Sequence, residues 1–68
     1  MDTAQQLAHY TQKIKEMLTR VPQKVNAGSY DGAVAYKKCV MNARKAIETN
    51  RPNLTKVISA HNQLNSYY

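Results

Sequence analysis

Few residues in this chain are equipped for chemistry, and their spacing limits what they can do. Cys39, His9 and His61 are the whole thiol and imidazole inventory, and Asp2, Glu16, Asp31 and Glu48 are the only carboxylates among 68 residues. Catalysis by a carboxylate pair needs two acids held together in unequal environments. These four stand singly along the chain and read as helix-start or solvent-facing charges. A cysteine nucleophile needs an activated thiolate beside a base, whereas Cys39 borders an apolar helical seam and suits the small buried role usual for a free thiol.

His61 lies among Leu54, Val57, Ile58 and Leu64, where a hydrogen-bonded core or boundary histidine is expected. His9 is expected to face solvent. Structural zinc takes about four Cys, His or carboxylate ligands, and no CxxC or HxxxH spacing occurs. Gly28 and Gly32 are the only glycines, so no GxxxxGK or GxGxxG phosphate loop can be built. A non-enzymatic protein is expected, with no metal, no cofactor and no small-molecule substrate.

Charge is the more informative property. Ten Lys and Arg against four acids give a net charge of +6, an imbalance that points to a polyanionic or acidic partner. The start, "MDTAQQLAHY", has no basic region followed by an apolar run, and no apolar segment is long enough to span a bilayer. The expected location is cytoplasmic, without membrane association. "NLT" at Asn53–Thr55 matches a glycosylation sequon that such a location leaves unused.

The elements that must position these charges are helices. Ala4, Leu7, Tyr10, Ile14, Met17, Leu18 and Val21 recur at steps of three and four, which lays them along one helical face over about 3–20. Thr3 and Gln6 have capping-box spacing. Pro22 should stop or kink this helix, opening a short second turn that Gly28 closes in a left-handed cap. Ser29 or Asp31 is placed to cap the next helix, about 30–49, whose seam is Ala33, Tyr36, Val40, Ala43 and Ile47. After Asn50 and Pro52, a last helix over about 52–66 carries Leu54, Val57, Ile58, His61, Leu64 and Tyr68 on one side.

Three amphipathic helices with short connections predict one all-α domain over 1–68, a small antiparallel three-helix bundle, with a homodimer of helical hairpins as the alternative. A chain this short buries only about 60% of its unfolded surface. Without Phe or Trp its core is thin, which favours self-association or a partner. "AGSYDGAVAY" resembles the opening of the second helix in a tetratricopeptide repeat, and of the second helix in three-helix domains that bind short helical sorting motifs. The resemblance implies a helical hairpin.

Function is therefore sought on the basic helix faces. Lys13, Arg20 and Lys24 share one side of the first helix with His9, while Lys37, Lys38, Arg44 and Lys45 surround Val34 and Met41 on the second. Arg51 and Lys56 extend this patch. A helix-turn-helix register fails, because placing Ala46 at its small-residue position puts Thr49, Arg51, Lys56 and Ser59 where apolar contacts are required. The five tyrosines form no stacking platform.

The leading expectation is nucleic-acid binding through phosphate contacts by Lys13, Arg20, Lys24, Lys37, Lys38, Arg44, Lys45 and Lys56, with little sequence readout. An accessory or regulatory role fits the size, which is common among phage and mobile-element proteins. The alternative is a protein-interaction module or inhibitor that docks on an acidic partner or on itself. Its expected interface residues are Val34, Met41, Tyr67 and Tyr68.

Overall fold

A computed structural model describes residues 2–26 and 30–68. Over them the chain forms helices α1 (Thr3–Met17), α2 (Gln23–Asn26), α3 (Tyr30–Ile47) and α4 (Leu54–Asn65), with no strand among the described residues. Since α2 is a single turn, the architecture is a small all-α bundle of three long helices, as the apolar periodicity predicts.

Each boundary has a local cause, and several differ from expectation. The Asp2 carboxylate accepts the Gln5 backbone N–H at 2.8 Å, and the Gln5 side chain accepts the Asp2 N–H at 3.3 Å. This capping box starts one residue before the expected Thr3–Gln6 pair. An anionic cap gains from the positive end of the helix, which a hydroxyl does not, so Thr3 enters the first turn.

At its other end α1 stops at Met17, well before Pro22. Thr19 N–H bonds Glu16 O at 3.2 Å and Arg20 N–H bonds Met17 O at 3.4 Å, so the chain tightens into i to i+3 turns. Proline does not end the helix here. Pro22 is instead buried and opens α2, its carbonyl accepting Val25 N–H at 3.1 Å.

Because α3 begins at Tyr30, Asp31 falls inside its first turn and is not the cap. Ser29 and Gly28, the other residues expected to manage this junction, lie outside the described residues. Asn53 starts α4 by accepting Lys56 N–H at 3.2 Å, one residue beyond Pro52. The "NLT" triplet is thus the entrance of a helix.

The extensive packing contacts are α1 on α4 and α3 on α4, while α2 rests on α3. Tyr10 meets His61 and Met17 meets Tyr68, so α1 and α4 run parallel. Tyr36 meets Tyr67 and Tyr68, while Lys45 and Ala46 share a groove with Thr55 and Lys56, so α3 runs antiparallel to α4.

The core is Ile14, Met17, Tyr36, Ala43, Val57, Ala60 and Leu64. Although α4 is the shortest long helix it supplies three of these seven, since it packs extensively on both of the other long helices. The accessible surface of 4988 Å² exceeds the roughly 4,300 Å² typical of a compact monomer of this mass. An elongated outline of 39 × 18 × 16 Å accounts for the excess.

One polar junction closes the bundle. The Tyr68 hydroxyl lies 2.5 Å from Met17 O, 2.8 Å from Arg20 O and 2.8 Å from the Tyr36 hydroxyl. Carbonyls only accept, so the Tyr68 proton goes to them and Tyr36 donates to Tyr68. Burial pushes the Tyr68 phenol well above its ordinary value, and the proximity of the Tyr36 phenol adds to this against the opposing pull of Arg20.

Tyr68→Phe removes the donor to two carbonyls and is expected to cost about 1–2 kcal/mol in urea or thermal unfolding. The pH dependence has a definite sign. A phenol whose folded pKa lies above its unfolded value of 10.0 stabilises the fold below that pH and loses the contribution as pH rises. The stability gap between the native chain and Tyr68→Phe should therefore shrink above pH 10, measured by urea midpoints from neutral to alkaline pH.

Candidate binding groove

The turn after α1 runs alongside the middle of α3. Between them lies a groove of about 370 Å³ lined by Leu18, Arg20, Val21, Tyr36, Lys37, Val40, Met41 and Arg44. Its floor is apolar and its rim cationic. Among the described residues Val21 and Met41 are the large apolar side chains left most exposed, at 54% and 57%, and both open into this groove.

Met41 is exposed because the α3 seam turns Tyr36 and Ala43 inward, leaving position 41 on the far side of the helix. Val21 departs from expectation: it continues the apolar stripe of α1 in sequence, yet it is not in the core. The reason is local. A residue before proline is pushed out of helical angles, and α1 has already ended, so Val21 no longer shares the direction of Ile14 and Met17.

The structure regroups the predicted basic residues. Arg20, assigned by sequence to a stripe with Lys13 and Lys24, joins Lys37 and Arg44 at the groove. It also lies with Lys13 along a polar cleft beside His61 and Tyr68, so it links the α1 and α3 charges. The Arg20 guanidinium carbon sits 5.8 Å from the centre of the Tyr68 ring, which holds the charge beside the groove.

Lys45 and Lys56 belong to a different groove, between α3 and α4, with Thr55, Ser59 and Gln63. Lys38 is exposed and lines neither groove, and the Lys24 side chain lies outside the described residues. No acidic residue interrupts α3 between Lys37 and Ile47.

Of the expected interface residues, Met41 is at the groove, Val34 is half-buried elsewhere on α3, and both terminal tyrosines pack on the bundle. The Tyr67 ring meets Tyr36 edge-on at 5.6 Å. Burial, and then the neighbouring Cys39 thiol, raise its phenol above the ordinary value. Tyr68 is committed to the junction. Leu18, Val21, Tyr36 and Val40 line the groove although sequence reasoning gave them only to inner helix faces, and for Val21 the Pro after it is the available signal.

The groups considered for chemistry remain apart. His61 is half-buried, 5.1 Å edge-on from Tyr10, with Nδ1 3.0 Å from the Asn62 side-chain oxygen. Cys39 is half-buried beside Tyr67. Among the described residues no three His, Cys, Asp or Glu gather to hold a metal, and no helix is long and apolar enough to cross a membrane. Compared with protein-family models, curated proteins and solved structures, the chain matches none.

If Val21 and Met41 serve a partner and not the core, polar replacements should leave the fold intact. Val21→Ser and Met41→Ser are each expected to change unfolding free energy by less than about 0.5 kcal/mol. Val57→Ala, at a fully enclosed position, should cost roughly 1–3 kcal/mol in the same denaturation series.

Proposed function

We propose that this protein is a non-enzymatic binding module that docks the basic and apolar face of α3 on an acidic protein partner, in an accessory or regulatory role. The observation that carries this reading is the shared groove: the two most exposed large apolar side chains open between Arg20, Lys37 and Arg44. Covering two half-exposed side chains of this size is worth about 1 kcal/mol apiece. Exposed ion pairs at the rim contribute about 0–1 kcal/mol each. An acidic protein surface can collect both kinds of contact, whereas phosphates collect only the second.

Nucleic-acid binding is the second reading. It is favoured by charges outside the groove: Lys13 on α1, Lys38 on α3, and Lys45 with Lys56 across the other cleft. A phosphate backbone tracks a broad positive surface and its affinity falls steeply with salt. Charge distribution separates the two readings, since one needs the groove cations and the other needs them all.

Titration of a Glu-rich helical peptide and of single-stranded and duplex DNA and RNA at two salt concentrations tests this. With Lys37→Glu plus Arg44→Glu, peptide affinity should fall roughly tenfold or more, while Lys45→Glu plus Lys56→Glu should change it by less than about threefold. Strong, salt-sensitive nucleic-acid binding that both pairs weaken equally, with no peptide binding, would establish the second reading in its place.

A further inference from the structure

We infer that the Val21–Met41 groove is the seat of one acidic amphipathic helix, whose apolar residues cover Val21 and Met41 while its carboxylates meet Lys37, Arg44 and Arg20. This rests on the docking reading and names its occupant. The motivation is the spacing of the rim. Lys37 and Arg44 lie seven residues apart on α3, about 10.5 Å or two helical turns, with Val40 and Met41 between them on the groove side. A helix lying along α3 with acids at i and i+7 reaches both cations. Its residues at i+3 and i+4 then fall on the apolar floor, the usual anchor spacing for a helix in a groove.

The facing wall completes the pattern. Arg20 comes from the turn after α1, on the other side of the floor, so it can take a third carboxylate from the opposite flank of the same helix. Its guanidinium is already placed against the Tyr68 ring, so less side-chain freedom is lost on pairing. A second copy of this chain is a poor occupant. Two-fold pairing of this face would bring three cations toward three cations, with no acid between Lys37 and Ile47 of either α3 to offset them.

The test uses the full chain and a synthetic helical peptide with Glu at i and i+7 and Leu at i+3 and i+4. Two companions keep its length: Leu→Gln, at constant charge, and Glu→Gln. Affinities are measured by calorimetry for the native chain and for Met41→Ser, with circular dichroism confirming that the variant is folded. Both peptide substitutions are expected to weaken binding roughly tenfold or more, and Met41→Ser should match the Leu→Gln loss without adding to it.

Equal binding of the Leu and Gln peptides, with no effect of Met41→Ser, would overturn the helix seat while leaving the acidic-partner reading intact. No binding of any acidic peptide, with binding of DNA or RNA, would overturn both. A dimer in sedimentation that Met41→Ser dissociates would assign the groove to a second copy and sink the proposal.

Discussion

The Tyr68 hydroxyl has one proton, and it stands where the end of α1, the start of the connection and α3 come together. Helix ends leave carbonyls without intrahelical partners, and where α1 ends Met17 O holds a 3.4 Å bond from Arg20 N–H that the Tyr68 hydroxyl supplements. Tyr68 reaches Met17 O and Arg20 O from beyond α4, and Tyr36 in turn supplies the hydrogen bond that the Tyr68 oxygen can accept. Removing the aromatic ring would separate three elements at once. The Arg20 backbone and guanidinium, and with them one wall of the groove, are tied to this residue.

That dependence follows from a thin core. Alanines at 43 and 60 let α3 and α4 approach closely but bury little surface, and α1 and α3 hold together largely through α4. Bundles with Leu or Phe at such positions rely on shape complementarity in the interior. Here a larger share of the orientation comes from tyrosines at one end: Tyr36 meets Tyr67 edge-on and Tyr68 at a tilt, and its hydroxyl bonds that of Tyr68. Midway along the bundle, Tyr10 and His61 make a lesser version of the same contact between α1 and α4.

Much of this was legible in the sequence, and the reasons for the rest are local. The three-and-four spacing of Leu7, Tyr10, Ile14 and Met17, and of Tyr36, Val40, Ala43 and Ile47, specifies helices and their inner faces because side-chain direction repeats every 3.6 residues. Caps are a competition between adjacent candidates, which is why Asp2 displaces Thr3 and Asn53 takes a role that a glycosylation pattern had obscured. The basic residues were identifiable one helix at a time. Their grouping was not, since Arg20 joins Lys37 and Arg44 only when the chain leaves α1 and turns toward α3, a direction no periodicity encodes. Tyr68 was similarly opaque, because its partners lie 32, 48 and 51 residues away.

Val21 stands between two anchored neighbours. On one side the Arg20 carbonyl is held by Tyr68, and on the other the Pro22 ring is buried. With the Arg20 backbone tied to Tyr68 and the Pro22 ring turned inward, the chain between them is fixed in a course that leaves the valine 54% exposed. Its contact with water is imposed by the chain and not chosen by the side chain. A hydrophobic residue in that position behaves like a latch held open: it cannot relax into the core, and only something arriving from outside can cover it.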